Sequence, residues 1–210
     1  MRFKELAAPK VRNKVARGER SDSPGQEDHQ SAPCRGARKF EWRDSAARSC
    51  GHLRPDYIDQ LIVRLIRIDE QHLLQIRQHG ERDYPFECCG LLIGRFDDGR
   101  KVVTETFPIS NAREEEKKRN RFLITPEELM RGEKYAREKC LDVVGFYHSH
   151  PDDRAVPSKY DLDHAWPTYS YIVVSVTKGR AADLRSWEME PDRSRFNEEK
   201  VAQLAVSSER

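Results

Sequence analysis

One stretch limits what this chain can become more than any other: GFYHSHPDDRAVPSKYD, from Gly145 to Asp161. The residues leading into it, LDVVGFYH, have the β-branched and aromatic texture of a strand. PDDRAVP then marks a bend, since proline sets its own φ and brings no backbone N–H. Ser158 and Asp161 follow, three apart, where a helix would begin. If residues 142–150 are extended, alternation puts His148 and His150 on one face and Ser149 on the other. Ser158 and Asp161 share a helix face in the same way. Two imidazoles aimed together and a carboxylate from a second element, with a water, make an open tetrahedral zinc site of the catalytic kind.

Each piece alone is weak. Paired histidines on a strand are more often structural or exposed than ligands, and S-x-x-D makes a capping box whatever the protein does. Together, with a proline directly after the second histidine, they favour a metal site. Other zinc signatures fit badly: the chain has no H-E-x-x-H, and it lacks the H-x-E with P-C-x-x-C of nucleobase deaminases.

The rest of the chain bounds the reading. At 210 residues it can hold one domain with a core and a tail to spare. Only 37% of residues are hydrophobic, 35% are charged and the mean hydropathy is -0.87, which is polar for a chain folded from end to end. Residues 1–56, rich in Arg, Ser, Ala and Gly, lack aliphatic periodicity and are expected to be disordered or a non-native extension, with the natural start near Ile62 or Val63. Residues 57–210 are the expected folded domain. A formal charge of +2 makes no general case for nucleic acid or an anionic membrane as partner. The five cysteines, with no C-x-x-C pair, fit reduced thiols, and LIVRLIRI is too short and too charged to span a bilayer, so a soluble, cytoplasmic protein is expected.

From Ile68 onward the pattern becomes regular. IDEQHLLQIRQHGERDY reads as an amphipathic helix, and CCGLLIGRF, DDGR and KVVTETFPI as a β-hairpin. NAREEEKKRNR is a charge run without an apolar stripe, read as a solvated loop in preference to a substrate-contacting insertion, and it is a candidate wall of the groove for a substrate tail. In ITPEELMRGEKYAREKC, Thr125, Pro126 and Glu128 predict a capping box on a helix of about four turns. SKYDLDHAW reads as a short helix, YSYIVVSVT as a strand, and ADLRSWEME as a last antiparallel strand before a polar tail. The order helix, hairpin, helix, strand, helix, hairpin argues for an α/β fold: one domain with a central mixed β-sheet flanked by helices.

H-x-H-P, six residues, then S-x-x-D resembles the signature of the JAMM (MPN+) metalloproteases, and HSHPDDRAVPSKYD matches it without a gap. That family carries an upstream glutamate in a P-x-E-x-C-G-L context, and YPFECCGLLIG puts this role on Glu87. The resemblance runs from about Ile62 through Trp187 and is closest to small stand-alone bacterial members. It implies a JAMM/MPN domain of cytidine-deaminase-like fold, with one Zn²⁺ held by His148, His150 and Asp161. It also implies Glu87 as general base for the attacking water and Ser158 as hydrogen-bond donor to the oxyanion. The implied activity is a metallopeptidase or isopeptidase cutting the amide after the C-terminal Gly-Gly of a ubiquitin-like sulfur carrier protein, its expected partner. A metal-dependent hydrolase of an unrelated peptide or amide stays open, as does a non-catalytic scaffold, against which the intact residue set argues.

Other residues invite chemistry and are read as structural. Asp152 and Asp153 lie in the bend, and a helix puts Asp163 about 200° from Asp161. His164 is expected to be an ordinary helix histidine, and Cys88 and Cys89 to be buried, inert thiols. Trp166, Tyr169 and Tyr171 read as core or rim aromatics, and Gly90 and Gly94 as sites of close packing or strand irregularity.

Overall fold

The computed structural model describes residues 64–97 and 99–203; the expectation for residues 1–56 lies outside the described residues. Within the described residues, seven strands and three helices follow in the order β1 (Leu65–Ile68), α1 (Glu70–Asp83), β2 (Cys89–Asp97), β3 (Arg100–Ile109), α2 (Pro126–Glu138), β4 (Asp142–Pro151), α3 (Lys159–His164), β5 (Ser170–Thr177), β6 (Arg180–Met189) and β7 (Phe196–Gln203). A 3₁₀ turn at Glu115–Lys117 lies between β3 and α2.

Local chemistry accounts for most of these elements. Asp69 caps α1 by accepting the His72 N–H at 2.9 Å, and the helix buries Leu73, Ile76, His79 and Gly80 on one stripe. Thr125 caps α2 and Pro126 opens it, but Glu128 does not bond back to the Thr125 N–H, so only half of the expected capping box forms. The β2–β3 hairpin pairs antiparallel from Cys89–Ile109 to Asp97–Arg100, with a register shift at Ile93/Gly94. A Cβ on Gly94 would lie 1.9 Å from the Val102 carbonyl oxygen, so the shift requires glycine.

The sheet is mixed, as expected: β4 runs antiparallel to β2 and parallel to β5, and β1 runs parallel to both β3 and β7. It also closes, in the order β1-β3-β2-β4-β5-β6-β7. Ile66, Ile68, Leu73, Ile76, Val144 and Ile172 form the core of the main cluster, and a second cluster around Leu91, Ile93 and Ala136 packs beneath α2.

Closure depends on two strands that the periodicity does not announce. β1 is only LIRI, and β7, FNEEKVAQ, looks like the polar tail that was expected to follow β6. Their residues take strand form because partners supply the ladder bonds: β7 pairs with β6 on one side and with β1 on the other. The seam is polar. Glu199 on β7, 3% exposed, accepts hydrogen bonds from Ser170 at 2.6 Å and Ser186 at 2.8 Å. Burial raises its pKa, opposed by Lys101, which lies 3.8 Å away and 2.6 Å from Glu188. Arg64 extends the network to Glu188 and Glu190. A buried acid of this kind is legible only once its partners are assembled.

Cys88 and Cys89 are free and buried.

Candidate metal centre

β4 lies between β2 and β5, pairing His148 with Cys89 and Val173, and His150 with Ser175. Alternation sends both imidazoles to one side, their Nε2 atoms 3.0 Å apart. On the opposite side, the Ser149 hydroxyl accepts the Cys88 N–H at 2.8 Å and ties β4 to the start of β2. After the bend, α3 begins with a complete capping box: Ser158 Oγ accepts the Asp161 N–H at 3.3 Å, and Asp161 Oδ2 accepts the Ser158 N–H at 2.6 Å. The same cap presents Asp161 to the histidines, Oδ1 at 3.7 Å from His148 Nε2 and Oδ2 at 3.7 Å from His150 Nε2. Helix start and ligand site are therefore one arrangement.

The donor set fits a metal ion. The ligand atoms of His148, His150 and Asp161 all lie within 4.8 Å of one another. Tetrahedral zinc with Zn–N distances of about 2.0–2.1 Å separates its ligand atoms by about 3.3 Å, which the separations of 3.0 and 3.7 Å bracket. His150 Nδ1 donates to the Arg154 carbonyl at 2.8 Å, so a neutral His150 carries its lone pair on Nε2, facing the site. The Phe122 ring stacks on His148 at 4.7 Å, while His148 Nδ1 is buried without a hydrogen-bond partner. Burial lowers the His148 pKa, which favours the neutral, ligating form. Burial opposes the charge on Asp161, but His148, His150 and Ser158 outweigh it and hold the carboxyl well below the usual carboxylate range.

Glu87 sits just ahead of β2, outside this ligand group. Its backbone is gripped on both sides by the loop from Asn111 to Leu123: the Glu87 N–H donates to the Lys118 carbonyl at 2.8 Å, and its carbonyl accepts from Asn111 Nδ2 at 2.9 Å. Asn111 also donates to the Arg121 carbonyl and accepts the Arg113 and Leu123 N–H groups, closing the loop on itself. The loop read mainly as solvated therefore also holds the backbone of Glu87. The Glu87 side chain is 5% exposed and receives no hydrogen bond from a described residue. Burial pushes its pKa up to about 8, with His150 opposing the rise and Asp161 adding to it.

Asn111, Phe122 and the Arg154 carbonyl escaped the sequence reading. An asparagine between a strand and a charge run gives no signal of its partners, and a backbone carbonyl gives none at all. The decoys fall where expected. Asp152 organises the bend, bonding the Lys178 N–H at 2.9 Å, the Tyr84 hydroxyl at 2.9 Å and Arg119 at 3.1 Å. Asp163 is exposed and pairs with Lys159, and His164 is exposed on α3 with Nδ1 bonded to the Tyr160 carbonyl. Tyr171 is buried and bonded to Trp166, while a Cβ on Gly90 would strike the Tyr147 ring at 2.4 Å.

With this geometry established, likenesses to known proteins can be compared with it. A family model described as prokaryotic homologs of the JAB domain matches residues 69–190. A desampylase from Haloferax volcanii is 38% identical over 104 residues, covering 49% of this chain and 72% of the relative. A CysO-cysteine peptidase from Mycobacterium tuberculosis is 29% identical over 112 residues, covering 53% of this chain and 73% of the relative. A solution structure from Desulfitobacterium hafniense aligns with a TM-score of 0.58 at 26% identity, covering 66% of this chain and 92% of the other. One from Salinibacter ruber aligns with a TM-score of 0.54 at 38% identity, covering 67% and 92%. The family match takes in more than half of the sequence, from the cap of α1 to the end of β6, and this chain belongs to the prokaryotic homologs of the JAB domain.

Proposed function

We propose that this chain is a zinc-dependent metallopeptidase that hydrolyses the amide bond after the C-terminal Gly-Gly of a ubiquitin-like sulfur carrier protein. The observation that carries the reading is the convergence of His148, His150 and Asp161 beside a buried carboxyl, Glu87, that is not one of the ligand group. The names of the desampylase and CysO-cysteine peptidase relatives support a peptidase acting on such proteins.

His148, His150 and Asp161 would hold the metal. When bound, zinc supplies Lewis-acid polarisation and acidifies water toward neutral pH. Glu87 takes a proton from the attacking water and delivers it to the departing amine, a role open to a buried carboxyl once a bound cation offsets the rise that burial causes in its pKa. Ser158, which opens α3 beside Asp161, is placed to turn its hydroxyl proton to the substrate oxygen, where it would stabilise developing charge. The Asn111–Leu123 loop keeps the Glu87 backbone in place. A glycine-rich tail suits the approach, because among the described residues β3 beyond Val102 is ladder-paired only to β2, and a strand added at that edge would end near Glu87.

The test is metal per chain by elemental analysis for native protein and Asp161→Ala, paired with cleavage of a carrier–cysteine conjugate by native protein and Glu87→Ala. About one zinc per chain, lost with Asp161, and cleavage abolished in Glu87→Ala are expected. Metal without cleavage of the conjugate, but with cleavage of short free peptides, would replace the carrier by a small substrate. No metal in protein prepared without chelator would overturn the assignment.

A further inference from the structure

The loop beside the site carries five cations, and three are neutralised: Lys117 by Glu114 at 3.5 Å, Lys118 by Glu115 at 2.9 Å and Arg119 by Asp152 at 3.1 Å. The remaining two, Arg113 and Arg121, form no ion pair with any described carboxylate. Both converge on one ring, that of Tyr160, the residue before the candidate ligand Asp161. The Arg121 guanidinium lies 4.5 Å from the ring centroid and that of Arg113 5.6 Å, while His164 stacks on the ring at 4.0 Å. Arg113 is fixed further, donating Nε to the Phe122 carbonyl at 3.3 Å and Nη2 to the Tyr160 hydroxyl. Arg121 donates to the Asn120 carbonyl, and its charge is felt at Glu87.

A guanidinium has five N–H donors in a planar fork, and these bonds leave most of them unused. Contacts with an aromatic ring, a hydroxyl and backbone carbonyls orient the cations without neutralising them. The result is a pre-organised pair of positive forks around the residue that precedes the candidate ligand Asp161 in sequence, and a carboxylate fits such a pair best.

The geometry points to Arg113 and Arg121 as a recognition site for the free α-carboxylate of the residue that leaves, so that the enzyme selects substrates ending one residue past the scissile bond. This rests on the peptidase reading above. In such a substrate the carboxylate lies within one residue's length, about 3.5 Å, of the bond that breaks. An acidic side chain on the folded body of the carrier is set back by the whole extended tail. A conjugate in which the leaving amine belongs to a lysine side chain offers no carboxylate at that place.

The experiment uses the full, zinc-loaded chain and a carrier extended by one alanine past Gly-Gly, as the free acid and as the carboxamide. Native protein is expected to favour the acid roughly 10- to 100-fold in kcat/KM, mainly through KM. The double variant Arg113→Gln/Arg121→Gln should bring the acid-to-amide ratio close to one, and the double lysine variant should restore part of it. Equal cleavage of acid and amide by native protein would overturn the inference, as would a double variant that loses both activities in the same proportion, the mark of a purely structural role. If native protein cleaves neither, the peptidase reading fails separately. Calorimetric binding of the tripeptide Gly-Gly-Ala, as acid and carboxamide, to native and double-glutamine protein then decides the site: acid-selective binding lost in the variant upholds it, and equal binding refutes it.

Discussion

Replacing Glu87 with glutamine should stabilise the metal-free protein at neutral pH while removing the proposed proton carrier. The buried Glu87 carboxyl has its pKa pushed up from 4.5 to about 8. Between those values the folded state holds a proton that the unfolded state has released, so stability falls as pH rises, by about 1.4 kcal/mol per pH unit. At pH 7, roughly 2.5 units above the unfolded value, the accumulated loss is ~3 kcal/mol. Glu87→Gln keeps the shape and discards the charge. Its advantage should be near zero at pH 4.5, ~3 kcal/mol at pH 7, and level above about pH 8. For a domain of this size that is a rise in Tm of about 6–12 °C at pH 7. The assay is thermal unfolding of chelator-treated native and Glu87→Gln protein across that pH range. Zinc offers a second check, because a nearby cation favours the ionised carboxyl and should shrink the variant's advantage. An advantage that is independent of pH, or a variant less stable than native protein at pH 7, would refute the claim that burial dominates at Glu87.

Three further outcomes follow from the packing. Gly90→Ala would bring a Cβ to 2.4 Å from Tyr147, whose hydroxyl is held by His79 Nδ1 at 2.8 Å, and should lower the free energy of unfolding by about 1–3 kcal/mol, seen as a lower urea midpoint with an unchanged m-value. Asn111→Ala removes the acceptor of the Arg113 and Leu123 N–H groups, so both amides should exchange faster while those of α1 and β5 keep their protection, and kcat/KM should fall. Burial pushes the Cys88 thiol up to about 12 and that of Cys89 higher still, so iodoacetamide at pH 8 should label neither until denaturant is added.

What the sequence determined about this protein is what short-range chemistry controls. His148 and His150 share a face because strand alternation requires it, and Ser158 and Asp161 meet because a capping box is a local bargain between two neighbouring residues. α1, α2 and the two hairpins likewise follow from caps, stripes and turn residues within a few positions of one another. Tertiary structure alone decided the closure of the sheet. LIRI and FNEEKVAQ carry too little pattern to be strands until β3 and β6 offer them ladders, and Glu199 can be buried only where Ser170, Ser186 and Lys101 are brought together from three other strands. The loop from Asn111 to Leu123 is the same case nearer the chemistry. Its composition reads as solvated charge, yet the backbone of Glu87 needed partners there, and a buried peptide group takes its hydrogen bonds from whatever segment the fold delivers.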